Sequence, residues 1–352
     1  MAQKSYRKSQ LIAFDNAAAG HDGVLSDPSG AVVIKPCSQA EVDFYHSTAK
    51  DEHSHFATFI PTFMGTLELN SESDSTAAVA RTAIMNTTEA GQSIAGAPHA
   101  IPNAPVVEKA WAPSNGGKIK TDLAIVLENI AAPFQKPNIL DVKLGARLWD
   151  DNAPPAKRTK LDKVAEETTS KSLGFRIAGM RTWHGHAATA SSSGISEDGY
   201  RRYDKHYGRT LTTKTIRQGF EDYFLLERGG AIAKKGPLRI VVKRFLEDLV
   251  ELKSALENEE SRMYSASLLF VYEGNRDALM DALAREREEP ANGINGDEAE
   301  EEEDDEAQVP AVQGLKLIDF AHAEWTPGQG PDENLLQGLR CTVEVLEGLL
   351  EN

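Results

Sequence analysis

Three polar stretches interrupt this 352-residue chain, and any core has to be assembled from what lies between them. The first, residues 70–118, is rich in Ser, Thr, Ala, Pro and Gly and shows little periodicity. The second, residues 186–199, contains ATASSSGISEDG, and the third, residues 286–308, holds an acidic block made of Asp297, Glu298 and residues 300–306. A dense run of like charge cannot bury apolar surface and reads as a solvated, disordered loop. Removing its nine acids from the formal net charge of -16 leaves -7, so the global charge says little about any one site.

Between these stretches the chain alternates or repeats at helical spacing. GHDGVLSDPSGAVVIKP reads as two strands joined by a turn at Asp27-Pro28-Ser29-Gly30. Residues 39–50 suit a helix, while LAIVLE (123–128) and ILDVKL (139–144) suit strands. A helix opens at Pro154-Pro155. Ile216, Phe220 and Phe224 recur every fourth residue, and Leu249, Leu252 and Leu256 keep a similar spacing, as buried helix faces do. SLLFVYEG and LKLIDF are strand-like, and Leu335, Leu339, Val343 and Leu346 mark a closing helix. Strands dominate early and helices later, which predicts an α+β, two-lobed chain.

Several classes drop out. No stretch approaches the ~18 consecutive apolar residues of a membrane span, and MAQKSYRKSQLIAFDN lacks the apolar segment of a secretory signal. Cys37 and Cys341 read as reduced thiols of a protein of the nucleus and cytoplasm. Acidity without a basic domain argues against direct nucleic-acid binding. His184 and His186, in WHGH, have no further ligands at recognisable spacing and read as incidental.

The most informative stretch is Pro137-Asn-Ile-Leu-Asp-Val-Lys-Leu-Gly145. In a strand, Ile139, Asp141 and Lys143 share one face, and Leu140, Val142 and Leu144 share the other. A carboxylate and an ammonium two residues apart suit two polar ligands held side by side, although a surface strand with an incidental ion pair has the same spacing. This stretch matches PxxxDxKxG, the hallmark of the inositol polyphosphate kinase family. The resemblance continues through SLGFRIAGMR (172–181), HYGR (206–209), YSASLLFVYEG (264–274) and IDFAH (318–322), five motifs in the family's order.

The resemblance implies a fold remotely similar to protein kinases and to ATP-grasp proteins, with ATP between two lobes. It places the first lobe at residues 1–130, including the 70–118 insertion, and the second at 131–352. The second lobe would carry an inositol-phosphate-binding helix at about 155–168 and the acidic loop at about 286–308. It implies that Lys35 contacts ATP phosphates while paired with Glu41, as lysine–glutamate pairs do in other kinases. The backbone at Glu128 and Ile130 would meet the adenine edge, and Asp141 the ribose. Asp319 would bind Mg²⁺, helped by Ser267, where the second serine of many relatives is replaced by Ala266, with Ser265 before it. Lys143, Asp319 and Asp141 form the implied catalytic group.

A substrate with several phosphates calls for a basic cluster, and PPAKRTKLDKVAEE supplies one. Leu161, Val164 and Ala165 make an apolar stripe, and Lys157 lies one turn earlier on it, aimed at the protein body. Lys160 and Lys163 fall on the adjoining face, and the helix's positive end adds attraction for phosphate. A nuclear localisation signal or a solvated basic face fits KRTK as well. The resemblance assigns Lys157, Arg158, Lys160 and Lys163, with Lys143, Arg181 and His322, to the substrate. It is closest to the fungal inositol polyphosphate multikinases, because the long extra helices of a dedicated 3-kinase are absent. An inositol hexakisphosphate kinase is the alternative, and an acidic scaffold contacting a transcription-factor complex is a reading of another class.

Overall fold

The structure is a computed structural model that describes residues 11–14, 23–68, 121–185, 194–292 and 311–351. The turn at 27–30 forms as the sequence predicts: the Gly30 amide donates to the Asp27 carbonyl at 3.0 Å. Gly30 sits at φ +73°, a left-handed conformation that carries no Cβ penalty in glycine. It joins β2 (Leu25–Ser26) to β3 (Val32–Pro36). With β1 (Ile12–Ala13), β4 (Phe63–Glu68) and β5 (Leu123–Glu128) these make an antiparallel sheet ordered β1-β2-β3-β5-β4. Alternation along β3 sends Val32 and Ile34 to one face, where they pack with Leu67, Ala124 and Val126. Val33 and Lys35 face the other way, toward α1 (Gln39–Thr48), whose first turn is capped by the Ser38 hydroxyl.

The second sheet holds β6 (Pro137–Leu144), β7 (Phe175–Trp183), β8 (Tyr200–Tyr203), β10 (Ser267–Glu273) and β11 (Gln313–Ile318), ordered β11-β10-β6-β7-β8 and antiparallel throughout. A small ribbon pairs β9 (Ser261–Met263) with β12 (Ala323–Trp325). Leu140, Val142 and Leu144 of β6 enter the main core, which is covered by α6 (Ile216–Tyr223), α7 (Pro237–Glu257) and α9 (Glu333–Leu350). Shorter helices α2 (Ser54–Ala57), α3 (Pro155–Glu166), α4 (Ser170–Leu173) and α5 (Lys205–Thr210) pack around it, with α8 (Arg276–Asn292) along β10.

The two sheets part between Glu128 and Pro137 but share one core. Phe320 joins them: fully buried, it stacks on Phe44 of α1 at 4.9 Å and meets Tyr45 edge-on at 5.4 Å. The Leu317 amide donates to the Phe59 carbonyl at 2.7 Å, stitching β11 to the segment that follows α2.

The polar stretches fare differently. Residues 70–118 lie outside the described residues. So do 186–193, but 194–199 form an ordered turn in which Ile195 bridges Arg201. The third stretch begins inside α8, which continues to Asn292 because Ala282 and Leu283 bury themselves and Glu286 pairs with Arg244 at 2.6 Å. The acidic block itself lies outside the described residues. Both Cys37 and Cys341 are free thiols.

Candidate active site

Asp319 follows β11 where the two sheets meet, and its backbone is left-handed at φ +71°. Few residues other than glycine adopt that conformation, and those that do gather at functional sites. The strain is held from both sides. Leu317 and Phe320 are fully buried, and the Phe320 amide donates to Glu41 Oε1 at 3.3 Å. The carboxylate is thereby presented between two lysines. Lys35 Nζ lies 2.6 Å from Oδ1, and Lys143 Nζ lies 3.5 Å from Oδ2. Lys35 also donates to Glu41 Oε1 at 2.8 Å. Burial works against the Lys35 charge, but Asp319 and Glu41 outweigh it and hold the ammonium well above its ordinary value.

Lys143 and Asp141 come from β6 and share the face opposite the core, as the alternation requires. Lys143 Nζ donates to the Ser265 carbonyl at 2.8 Å, and Ser265 is itself left-handed at φ 62°. The Ser265 hydroxyl is committed to the Leu148 carbonyl at 3.0 Å, which leaves Ser267 as the serine facing the site. Ser267 pairs with Lys143 across β10 and β6. Asp141 is 5% exposed, and burial, with Asp319 adding to it against Lys143 and Arg176, pushes its carboxyl up to about 6. Asp141 and the buried Ser267 hydroxyl lie side by side, the hydroxyl favouring the Asp141 charge, and neither Asp141 Oδ1 nor Ser267 Oγ has a partner elsewhere among the described residues. Gly145 closes the motif at φ +96°, where a Cβ would stand 2.7 Å from the Asn334 side-chain nitrogen. That contact is why the motif ends in glycine.

The substrate-side residues divide. Lys157 does point at the protein: its Nζ is 3.1 Å from His322 Nε2, while His322 Nδ1 is 2.8 Å from Asp150. Burial, followed by Lys157, holds the His322 pKa below the ordinary imidazole value. A neutral ring therefore donates from Nδ1 to Asp150 and accepts from Lys157. Leu161 and Val164 are half-buried and only Ala165 is buried, so the apolar stripe is shallower than its spacing suggests. Lys160 and Lys163 are exposed on α3, and Lys163 pairs with Glu167 at 3.6 Å. Arg158 is turned into the fold: its Nε donates to the Ala153 carbonyl at 2.7 Å, and its guanidinium lies 4.7 Å from the Trp149 ring. Arg181 is not brought into the group. It is 5% exposed, its guanidinium stacks 3.7 Å over Tyr200, and it pairs with Asp198 at 3.4 Å.

At the expected hinge, the Glu128 amide donates to the Thr62 carbonyl at 3.0 Å. Its carboxylate also binds Thr62, accepting from the hydroxyl at 2.9 Å, so this side chain has a structural task that a pure backbone role does not foresee. His184 accepts or donates one hydrogen bond with Thr182 at 3.0 Å, and His186 lies outside the described residues.

Three site residues escape sequence reasoning. Asp150 orients His322. Arg176, directly across from Lys143 on β7, faces Asp141 and donates to Ser170 Oγ at 2.9 Å. Asn334 of α9 receives the Ala146 and Arg147 amides at 2.9 and 2.8 Å. Arg176 lies inside a quoted motif, and its basic charge in an apolar strand was the available signal. Nothing local marks the other two.

Among the described residues no cluster of three or more His, Cys, Asp or Glu side chains converges as a self-sufficient metal site. Asp319 offers a hard carboxylate donor, and the buried oxygens of Asp141 and Ser267 lie alongside. Such a donor set fits a divalent ion that takes its other ligands from phosphate and water.

Comparisons with known proteins bear on the family and the fold. The family model described as inositol polyphosphate kinase matches residues 124–347. The chain belongs to the inositol polyphosphate kinase family. Within it, the chain is 30% identical to the inositol polyphosphate multikinase of Saccharomyces cerevisiae over 94% of this chain and 96% of that protein. Human inositol hexakisphosphate kinase 3 is 27% identical over 64% of this chain and 51% of its own length. The crystal structure of the S. cerevisiae inositol phosphate multikinase in complex with ADP and Mn²⁺ superposes with a TM-score of 0.59 at 28% identity. It covers 92% of this chain and all of that one. The two-sheet α+β fold described above is therefore the kinase fold of the family.

Proposed function

We propose that this kinase is a multikinase, transferring the γ-phosphoryl group of ATP to inositol 1,4,5-trisphosphate and on to the tetrakis- and pentakisphosphates at the 6- and 3-hydroxyls. The observation that carries the reading is Asp319, strained and fixed between Lys35 on the α1 side and Lys143 on the β6 side. Little covalent chemistry is asked of a protein in phosphoryl transfer, where positioning and charge neutralisation dominate. Lys35, steered by Glu41, holds the nucleotide phosphates, with the adenine edge at the backbone of Glu128 and Ile130. Asp141 holds the ribose. Lys143 neutralises the transferring group, and the Lys157–His322–Asp150 array orients the inositol phosphates, with Lys160 and Lys163 at its rim.

Asp319, with Ser267 nearby, would hold Mg²⁺, which supplies charge neutralisation at the phosphates when bound. Near full-length similarity to the S. cerevisiae multikinase, against partial similarity to the hexakisphosphate kinase, favours stepwise phosphorylation over pyrophosphate synthesis. The test is ATP turnover with Mg²⁺, offering inositol trisphosphate and hexakisphosphate separately and resolving the products. Conversion of the trisphosphate through tetrakis- to pentakisphosphate supports the reading, and a product from hexakisphosphate alone overturns it.

We also propose that the kinase works in nucleus and cytoplasm, and that the acidic block at 297–306 contacts a transcription-factor complex. Deleting that block is expected to lose the partner and leave turnover unchanged. A fusion confined to the cytoplasm would refute the first part.

A further inference from the structure

The N-terminal end of α7 carries a concentration of positive charge. The helix has 21 residues, a length of about 30 Å. Its C-terminal end leads through β9 into Ser265, whose carbonyl holds Lys143. Its N-terminal end therefore lies remote from the catalytic carboxylate. There, between the first turns of α7 and one face of α8, is a cleft of about 460 Å³. Lys234, Lys235, Arg239, Lys243 and Arg287 line it, and no carboxylate does.

That concentration is notable in a chain with 54 acids against 38 bases. None of the five cations has an ion-pair partner among the described residues, and Arg239 donates one hydrogen bond, to the Leu350 carbonyl at 3.3 Å. Glu247, Glu347 and Glu351 line a neighbouring open cleft beyond Arg239 and Lys243, yet none reaches ion-pairing distance. Gly236 caps α7 at φ 143° with no side-chain hydrogen bond, so the positive helix end also faces the cleft's rim. Five like charges held together with no ion-pair partner among the described residues repel one another, and an anion of matching charge density relieves that repulsion.

We propose that this cleft is a second binding site for a multiply phosphorylated anion, separate from the active site. Ile240 and Leu283 form its apolar floor, and Met280, 48% exposed, stands at the edge. Phosphates spaced around a ring or headgroup would meet the cations at the rim while the carbon skeleton rests on this floor. The proposal rests on the kinase reading only for its choice of probe. A soluble inositol polyphosphate and a phosphoinositide headgroup share the chemistry.

The test uses the full chain and inositol hexakisphosphate in a calorimetric titration at two salt concentrations. The wild-type protein is expected to bind at two sites. Lys235→Glu with Arg287→Glu should weaken one of them at least tenfold while ATP turnover on inositol trisphosphate is unchanged. Lys157→Ala should weaken the other. Hexakisphosphate binding that the double variant leaves undiminished, whether at one site or at two, overturns the proposal. Loss of trisphosphate turnover in the wild type would instead count against the kinase reading. Sedimentation with phosphatidylcholine vesicles, with and without phosphatidylinositol 4,5-bisphosphate, separates the sources. Pelleting that needs both the bisphosphate lipid and the two cations assigns the cleft to a lipid headgroup, and its absence beside intact hexakisphosphate binding assigns it to a soluble ligand.

Discussion

Asp141 is the residue at which function and stability pull apart. Its carboxyl titrates near 3.8 in an unfolded chain and at about 6 in the fold. Across that window the native state keeps a proton that the unfolded state has released, so stability falls as pH rises from about 4 to 6. The loss, about 3 kcal/mol by proton linkage, then persists at neutral pH. Asp141→Asn should therefore raise the melting temperature at pH 7, have little effect at pH 4, and abolish turnover. An equal stabilisation at both pH values would contradict the burial argument. Lys143→Ala and Lys35→Ala are expected to reduce kcat by at least 100-fold, the usual effect of deleting a fixed charge that serves the transition state. Circular dichroism should be unchanged in the Lys143 variant, because Lys143 is half-buried and anchors nothing in the core. The facing of Asp141 and Lys143 was legible because it depends on spacing within one strand, whereas the pairing of Lys35 with Glu41 was expected only from the family resemblance. Asp150 and Asn334 were not legible, since each acts on a segment far away in sequence, His322 and the 145–147 loop, and neither has a local pattern.

At the scale of elements, the loop from Gly145 to α3 sets where the basic residues point. Asn334 receives two of its amides and returns a hydrogen bond to the Arg147 carbonyl at 3.0 Å. Arg147 and Arg158 both lie over the Trp149 ring, at 4.0 and 4.7 Å, and the Trp149 indole donates to Asp162 of α3 at 2.6 Å. This stack ties the start of α3 to the end of β6. Trp149→Ala should loosen α3 and raise KM for the inositol phosphate several-fold while moving KM for ATP little; equal changes in both would mean that the stack supports the whole site. Gly145→Ala should cost roughly 2 kcal/mol, since φ +96° is strained for any side chain and the new methyl meets Asn334. The sequence showed that a helix starts at Pro155, because two prolines and a basic amphipathic run are local signals. It could not show that Arg158 would be spent on that stack. Helical spacing says which residues share a face, not which of them meets an aromatic neighbour. The short strands β4 and β8 were missed for a related reason: neither has an alternation long enough to stand out, and pairing with β5 and β7 decides them.

For the whole molecule, the two halves are joined by hydrophobic contact rather than by a shared sheet. Cys37, Val42, Phe44, Tyr45 and Phe56 from the first half lie in one continuous cluster with Leu140, Phe175, Leu268 and Leu317 from the second. Phe320 sits at the seam, one residue after the strained Asp319, so the contact that fastens the halves also positions the carboxylate proposed to bind the metal. Truncating a fully buried phenylalanine removes its transfer energy and leaves a cavity, at a typical cost of 3–5 kcal/mol. Phe320→Ala should lower the melting temperature of the whole chain in a single transition. It should also lower kcat more than Phe320→Leu, which fills most of the space but cannot stack on Phe44. If calorimetry instead resolved two transitions in the alanine variant, with the second unshifted, the halves would be separate folding units merely in contact. A single shifted transition means that the core shared across the seam is what holds Asp319 in its left-handed conformation, and that strain at the site is sustained by the cooperativity of the entire fold.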